Sequence, residues 1–120
     1  MSLFHTDYCV IAYVDLETAR RWWINIFGCK QVKVPDAWDD SMPEDVALRL
    51  PGAETATILI CRAPARAEQR PILFTSNIGR ARTHLLNQGI DVGSLDTSGG
   101  PPHFEIRDSE GNSIEICLDT

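Results

Sequence analysis

The sequence predicts an α+β fold of two βαβββ modules. Their strands would form one curled eight-stranded mixed sheet, a half-barrel cup, with a helix on the outer face of each module. Two observations predict it. First, two amphipathic helical segments, each preceded by one strand candidate and followed by three, divide the chain into halves of similar size. Second, the halves match residue by residue. Asp15-Leu16-x-x-Ala19-Arg20 parallels Asn77-Ile78-x-x-Ala81-Arg82, and Thr57-Ile58-Leu59-Ile60-Cys61 parallels Ser113-Ile114-Glu115-Ile116-Cys117. Internal repetition of this length is the mark of a duplicated architecture.

The first strand candidate is Tyr8–Val14. The first helix runs from about Leu16 to Phe27, because Ala19, Trp22, Trp23, Ile26 and Phe27 recur at i, i+3, i+4, i+7 and i+8, one face of a helix. Asp15 supplies an N-cap acceptor, and Gly28 supplies the left-handed residue that ends such a helix. Strand candidates Lys30–Val34, Val46–Leu50 and Thr57–Arg62 complete module one, about residues 6–63. Residues 64–70 are the connector. Module two, residues 71–120, opens with strand Pro71–Thr75. Its helix spans about Ile78 to Gln88, capped by Asn77, with Ile78, Ala81, Leu85 and Leu86 on the apolar face and Gly89 at the end. Strands Asp91–Leu95, His103–Arg107 and Ser113–Leu118 follow. A sheet covered by a helix on one face must bury its other face or use it as a cleft. The cup is therefore the expected ligand site.

At 120 residues, 43% hydrophobic and 23% charged, the chain is sized and composed for one globular domain. A net charge of −6 argues against a nucleic-acid partner, since phosphate binding relies on clustered Lys and Arg. No apolar run is long enough to span a bilayer. The segment Met1 to Val10 lacks a basic stretch before an apolar one, which reads as no signal peptide and a cytoplasmic protein. Cys9, Cys29, Cys61 and Cys117 are widely spaced with no CxxC, and are read as reduced and structural. No GxSxG, P-loop or GxGxxG is present.

The run Phe104-Glu105-Ile106-Arg107-Asp108-Ser109-Glu110-Gly111-Asn112-Ser113-Ile114-Glu115-Ile116 resembles the closing hairpin of the vicinal-oxygen-chelate superfamily, which includes glyoxalase I, bleomycin-resistance proteins and extradiol dioxygenases. Val14-Asp15-Leu16 followed by Trp22-Trp23 and Phe27-Gly28 resembles the family's first helix. The resemblance implies four metal-ligand positions on strands facing the cup. Counting back from Asp15 puts the first at Tyr8, and the module match puts the second at Leu59. Counting back from Asn77 puts the third at Pro71, and the fourth is Glu115. Only Glu115 is of a ligand type, so no metal and no cofactor are expected.

Alternation along the strands then predicts the cup lining: Tyr8, Val10, Ala12, Thr57, Leu59, Cys61, Leu73, Thr75, Ser113, Glu115 and Cys117, joined by His103, Glu105 and Arg107. Glu115 is either paired inside the cup or in contact with a ligand. His103 is a satisfied group or a ligand contact. Arg107 faces solvent, pairs with Glu115 or meets an anion. Trp38 lies in the acidic loop Pro35–Asp45 (Asp36, Asp39, Asp40, Glu44, Asp45), where it either stacks on a ligand or plugs a gap or dimer seam. The leading expectation is a metal-free small-molecule-binding protein that works by sequestration, homodimeric as the family commonly is. The alternative is a lyase, isomerase or dioxygenase with a displaced or absent metal, in which Glu115 acts as general base. A third reading is a structural or regulatory domain whose cup is filled by its own side chains.

Overall fold

The computed structural model describes residues 3–38, 41–64, 67 and 70–119. The elements follow as β1 (Cys9–Ala12), α1 (Leu16–Phe27), β2 (Lys30–Val32), β3 (Val46–Arg49), β4 (Ile58–Cys61), β5 (Ile72–Thr75), α2 (Ile78–Asn87), β6 (His103–Arg107) and β7 (Ser113–Leu118). None of the described helices is long and apolar enough to cross a membrane.

Both helices start and stop where their cap residues dictate. Asp15 accepts from Thr18 N at 3.1 Å and from Thr18 Oγ1 at 2.7 Å. Gly28, at φ 69°, donates its N–H to Ile24 O and closes α1. Asn77 accepts from Arg80 N at 3.0 Å, and α2 ends at Asn87, one residue before the predicted limit.

The strands form two sheets, β1-β4-β3-β2 and β5-β7-β6. In each, the strand that precedes the helix lies parallel to the last strand of its half, Val10 opposite Leu59 and Ile72 opposite Glu115. The described residues form sheets of four and three strands where one eight-stranded sheet was expected: the predicted strand Asp91–Leu95 does not form, and His5, ahead of β1, joins Phe74 of β5 by an isolated bridge, not a ladder. Residues 91–96 make only isolated bridges, Val92 with Ile106 and Asp96 with His103. Gly93 lies so close to β6 that a Cβ there would sit 3.2 Å from Glu105 O. The Ser- and Gly-rich run that follows has no alternating apolar side chains to hold a ladder. The two sheets meet at the β1 and β5 edges: His5 and Phe74 exchange backbone hydrogen bonds of 2.9 and 2.7 Å, and Thr6 Oγ1 donates to Ile72 O at 2.8 Å.

The main core lies on the helix side of both sheets, where Trp23, Phe27, Ile58, Ile60, Leu73, Leu85, Phe104 and Ile116 are buried together. The helices touch through His84 Nε2, 2.9 Å from Ile26 O in the last turn of α1. Buried in this layer, Trp23 Nε1 donates to Tyr13 Oη at 3.0 Å, and the Tyr13 hydroxyl lies beside Asp108. Burial, with the Asp108 charge beside it, drives the Tyr13 phenol far above its ordinary range, and burial pushes the Cys29 thiol up to about 12. Both groups ionise more readily in the unfolded chain, so the stability they contribute is present below their unfolded pKa values and is lost as pH rises past them. Stability is therefore expected to fall by about 3 kcal/mol between pH 8 and pH 10.5. Urea titrations across that range should show it, and Cys29→Ala with Tyr13→Phe should flatten the decline. An equally steep decline in the double variant would assign it to other groups.

Candidate functional site

The face of the sheets away from the helices carries the side chains available to a ligand. On the first sheet, Val10, Leu59 and Cys61 form a second buried cluster, against which Ala12, Val34 and Trp38 pack. Tyr8 is 43% exposed at the rim, its ring 4.9 Å from the Trp38 ring in an edge-to-face contact at 66°. The loop holds Trp38 through its own turn, Trp38 N to Pro35 O at 3.0 Å and Ser41 N to Trp38 O at 3.2 Å. Tyr8, Leu59 and Trp38 are thus brought together, forming an aromatic and aliphatic wall. Of the loop's acidic residues, Asp39 and Asp40 lie outside the described residues, and Asp45 turns inward to accept from Met42 N at 2.8 Å.

On the second sheet two predicted lining residues are misplaced. Leu73 is fully buried in the helix-side core, opposite Ile116, and Thr75 shares that side, its hydroxyl accepting from Asn77 N at 3.2 Å. Ile72, opposite Glu115, and Phe74, opposite Cys117, take the cup face instead. The error is one residue of register, which sends every side chain of a strand to the other face. Tyr8 lies seven residues before Asp15, whereas Pro71 lies six before Asn77. Seven back from Asn77 is Arg70. Arg70 therefore takes the position assigned to Pro71, and an equal count from the two caps would have found it.

The structure places Arg70 over an unusual pair. Glu105 and Glu115 stand directly opposite each other on β6 and β7. Like charges in that relation repel. The Arg70 guanidinium bridges them, Nη2 3.6 Å from Glu105 Oε1 and Nη1 4.0 Å from Glu115 Oε1. Glu115 is the more sheltered, its side chain 19% exposed against 40% for Glu105. His103 is beside them. Its Nδ1 lies 3.1 Å from Pro101 O, which can only accept, so Nδ1 carries the proton. Its Nε2 lies 3.7 Å from Asp96 Oδ2, and hydrogen bonds from Ser98 to the Asp96 carboxylate, with the nearby His103, hold Asp96 below the usual carboxyl range. Arg70, Ser94, Asp96, His103, Glu105 and Glu115 line a cavity of about 240 Å³. The Cys117 thiol is pushed up by burial and by the charges of Glu115 and Asp119. Arg107 does not reach Glu115: it is exposed and donates to Gly111 O at 3.3 Å.

These residues do not fit a divalent cation. The four corresponding positions hold Tyr8, Leu59, Arg70 and Glu115, of which one is a hydrocarbon and one a fixed cation. A single carboxylate beside a guanidinium cannot supply the three protein ligands that a catalytic metal usually takes. Among the described residues no group of three or more His, Cys, Asp or Glu side chains gathers in metal-binding geometry.

No protein-family model matches the chain, and no curated protein matches it. Solved structures match it over nearly its whole length. TnmS3, an antibiotic binding protein from Streptomyces sp. CB03234, superposes with a TM-score of 0.73 at 16% identity, covering 97% of this chain and 96% of that one. A member of the glyoxalase/bleomycin resistance protein/dioxygenase superfamily from Sphaerobacter thermophilus DSM 20745 gives a TM-score of 0.71 at 19% identity, with coverage of 96% and 97%. A lactoylglutathione lyase from Agrobacterium tumefaciens gives 0.68 at 16% identity, with coverage of 95% and 92%.

Proposed function

Because the chain has the fold of the glyoxalase/bleomycin-resistance/dioxygenase superfamily, we propose that it is a metal-free small-molecule-binding protein that sequesters its ligand in the cup. The observation that carries this reading is the pairing of two unlike walls on one face. The Tyr8–Trp38 contact over Val10, Leu59 and Cys61 offers apolar and aromatic area. The Arg70, Glu105 and Glu115 cluster offers a few converging polar groups. Small-molecule sites are commonly built this way, with apolar area supplying affinity and sparse polar groups supplying orientation. The likeness to an antibiotic binding protein supports a drug or a metabolite of similar size as the ligand. A homodimer in the cytoplasm is part of the same proposal.

The test is a tryptophan-fluorescence titration with a panel of planar aromatic antibiotics, in chelator and again with nickel, zinc, manganese or iron(II). Binding is expected without metal. Trp38→Ala should weaken it about tenfold, on the order of 1.4 kcal/mol, and Glu115→Gln should change it measurably. The bound compound should be recovered unaltered by mass spectrometry. Affinity indifferent to both substitutions would remove the cup from the account. A chemically changed compound would make the protein an enzyme.

A further inference from the structure

We propose a second ligand site, for a small amphipathic anion, between the C-terminal end of β1 and the β6–β7 hairpin, at the far end of β1 from Tyr8. It goes beyond the proposed function: it shares Ala12 with the cup wall but takes its charge from Arg62, which the cup reading does not use. A cavity of about 560 Å³ opens there, walled by Ala12, Val14 and Pro64 and reached by Arg62 and Asn112. Its size is within the roughly 300–1,000 Å³ of small-molecule sites. Ala12 lies four residues along the strand from Tyr8, about 13 Å at ~3.3 Å per residue.

The charges in this cavity are unevenly satisfied. Glu110 spends both carboxylate oxygens on the backbone, accepting from Val14 N at 2.9 Å and from Asp15 N at 2.8 Å. Its charge is thereby directed at the turn leading into α1. Among the described residues Arg62 has no ion pair and no hydrogen bond. A guanidinium fork left without a counter-ion matches a carboxylate or a related planar anion in bidentate fashion. The walls ask for an apolar body, since Val14 is 86% exposed and would be covered by one. An adjoining cavity of about 220 Å³ shares Ala12, Pro64 and Asn112, and Ser113 lines it. The Ser113 hydroxyl is buried without a hydrogen-bond partner. The ligand class is therefore a carboxylate on a compact apolar or aromatic body.

Two fluorescent probes of opposite charge test it, dansylglycine as the anion and dansylcadaverine as the cation. The wild-type protein is expected to bind dansylglycine at one saturable site and to prefer it over dansylcadaverine. Arg62→Gln should weaken dansylglycine at least tenfold, Arg62→Lys should weaken it less, and Trp38→Ala should leave it unchanged. Arg62 is exposed, and circular dichroism and thermal melts of each variant check that the fold is kept. Equal affinity of wild type and Arg62→Gln, or a preference for the cationic probe, overturns the proposal. Loss of dansylglycine binding in Trp38→Ala also overturns it, by assigning the probe to the cup, and leaves the cup reading intact.

Discussion

Trp23→Ala is expected to destabilise the protein by about 4 kcal/mol, near the middle of the 3–5 kcal/mol range for aromatic truncation in a core. Trp23 has no solvent exposure. It stacks on Phe27 at 4.9 Å and 28° and meets Trp22 edge to face at 5.3 Å. Its indole N–H is bound to Tyr13. Truncation would lose all of these contacts and leave a cavity between α1 and the first sheet, which the packed neighbours close only in part. Against a total stability on the order of 5–15 kcal/mol, that loss unfolds a marginal domain. Trp23→Phe keeps most of the ring and gives up the hydrogen bond, so about 1–2 kcal/mol is expected from it. Urea denaturation of both variants makes the comparison. A loss below 2 kcal/mol for Trp23→Ala would mean that the core repacks around the gap.

Asp108→Ala is expected to cost about 3 kcal/mol, an unusual penalty for a residue in a hairpin turn. The carboxylate is buried and accepts from Glu110 N at 3.0 Å, Asn112 N at 2.8 Å and Asn112 Nδ2 at 3.2 Å. The Tyr13 hydroxyl lies beside it. Hydrogen bonds to a charged group contribute about 1.5–3 kcal/mol each, and removing the acceptor strands its donors. The effect should spread beyond the turn, because Asp108 sets the position of Glu110, and Glu110 holds the backbone of Val14 and Asp15. One carboxylate thus ties the β6–β7 hairpin of the second half to the start of α1 in the first. In a double-mutant cycle, Tyr13→Phe and Asp108→Ala should fall short of additivity by about 1 kcal/mol. Strict additivity would show that the two side chains act independently.

The candidate site was legible in proportion to how local its determinants are. Tyr8, Leu59 and Glu115 reach the cup face because each lies at a fixed count from a cap or from its repeat partner. Arg70 was missed and Leu73 misassigned through a single step in that count. Strand alternation punishes such a slip fully, because the next residue faces the helix layer. Arg107 is exposed and its partner is Gly111 O, a contact that alternation cannot specify. Trp38 lies in a loop without period, and whether it covered the cup or pointed away had no local signal.

By itself the sequence determined the two helices, their caps, the repeat and the strands that carry the cup, because each follows from short-range periodicity and cap chemistry. The tertiary structure alone decided three things. It divided the expected eight-stranded sheet into sheets of four and three strands, joined at the His5–Phe74 bridge. It laid Trp38 on Tyr8 and the Leu59 wall. It brought the Arg70 guanidinium between Glu105 and Glu115, which repel each other across two strands. Each of these depends on contacts between segments far apart in the chain, whose free energies no local pattern encodes.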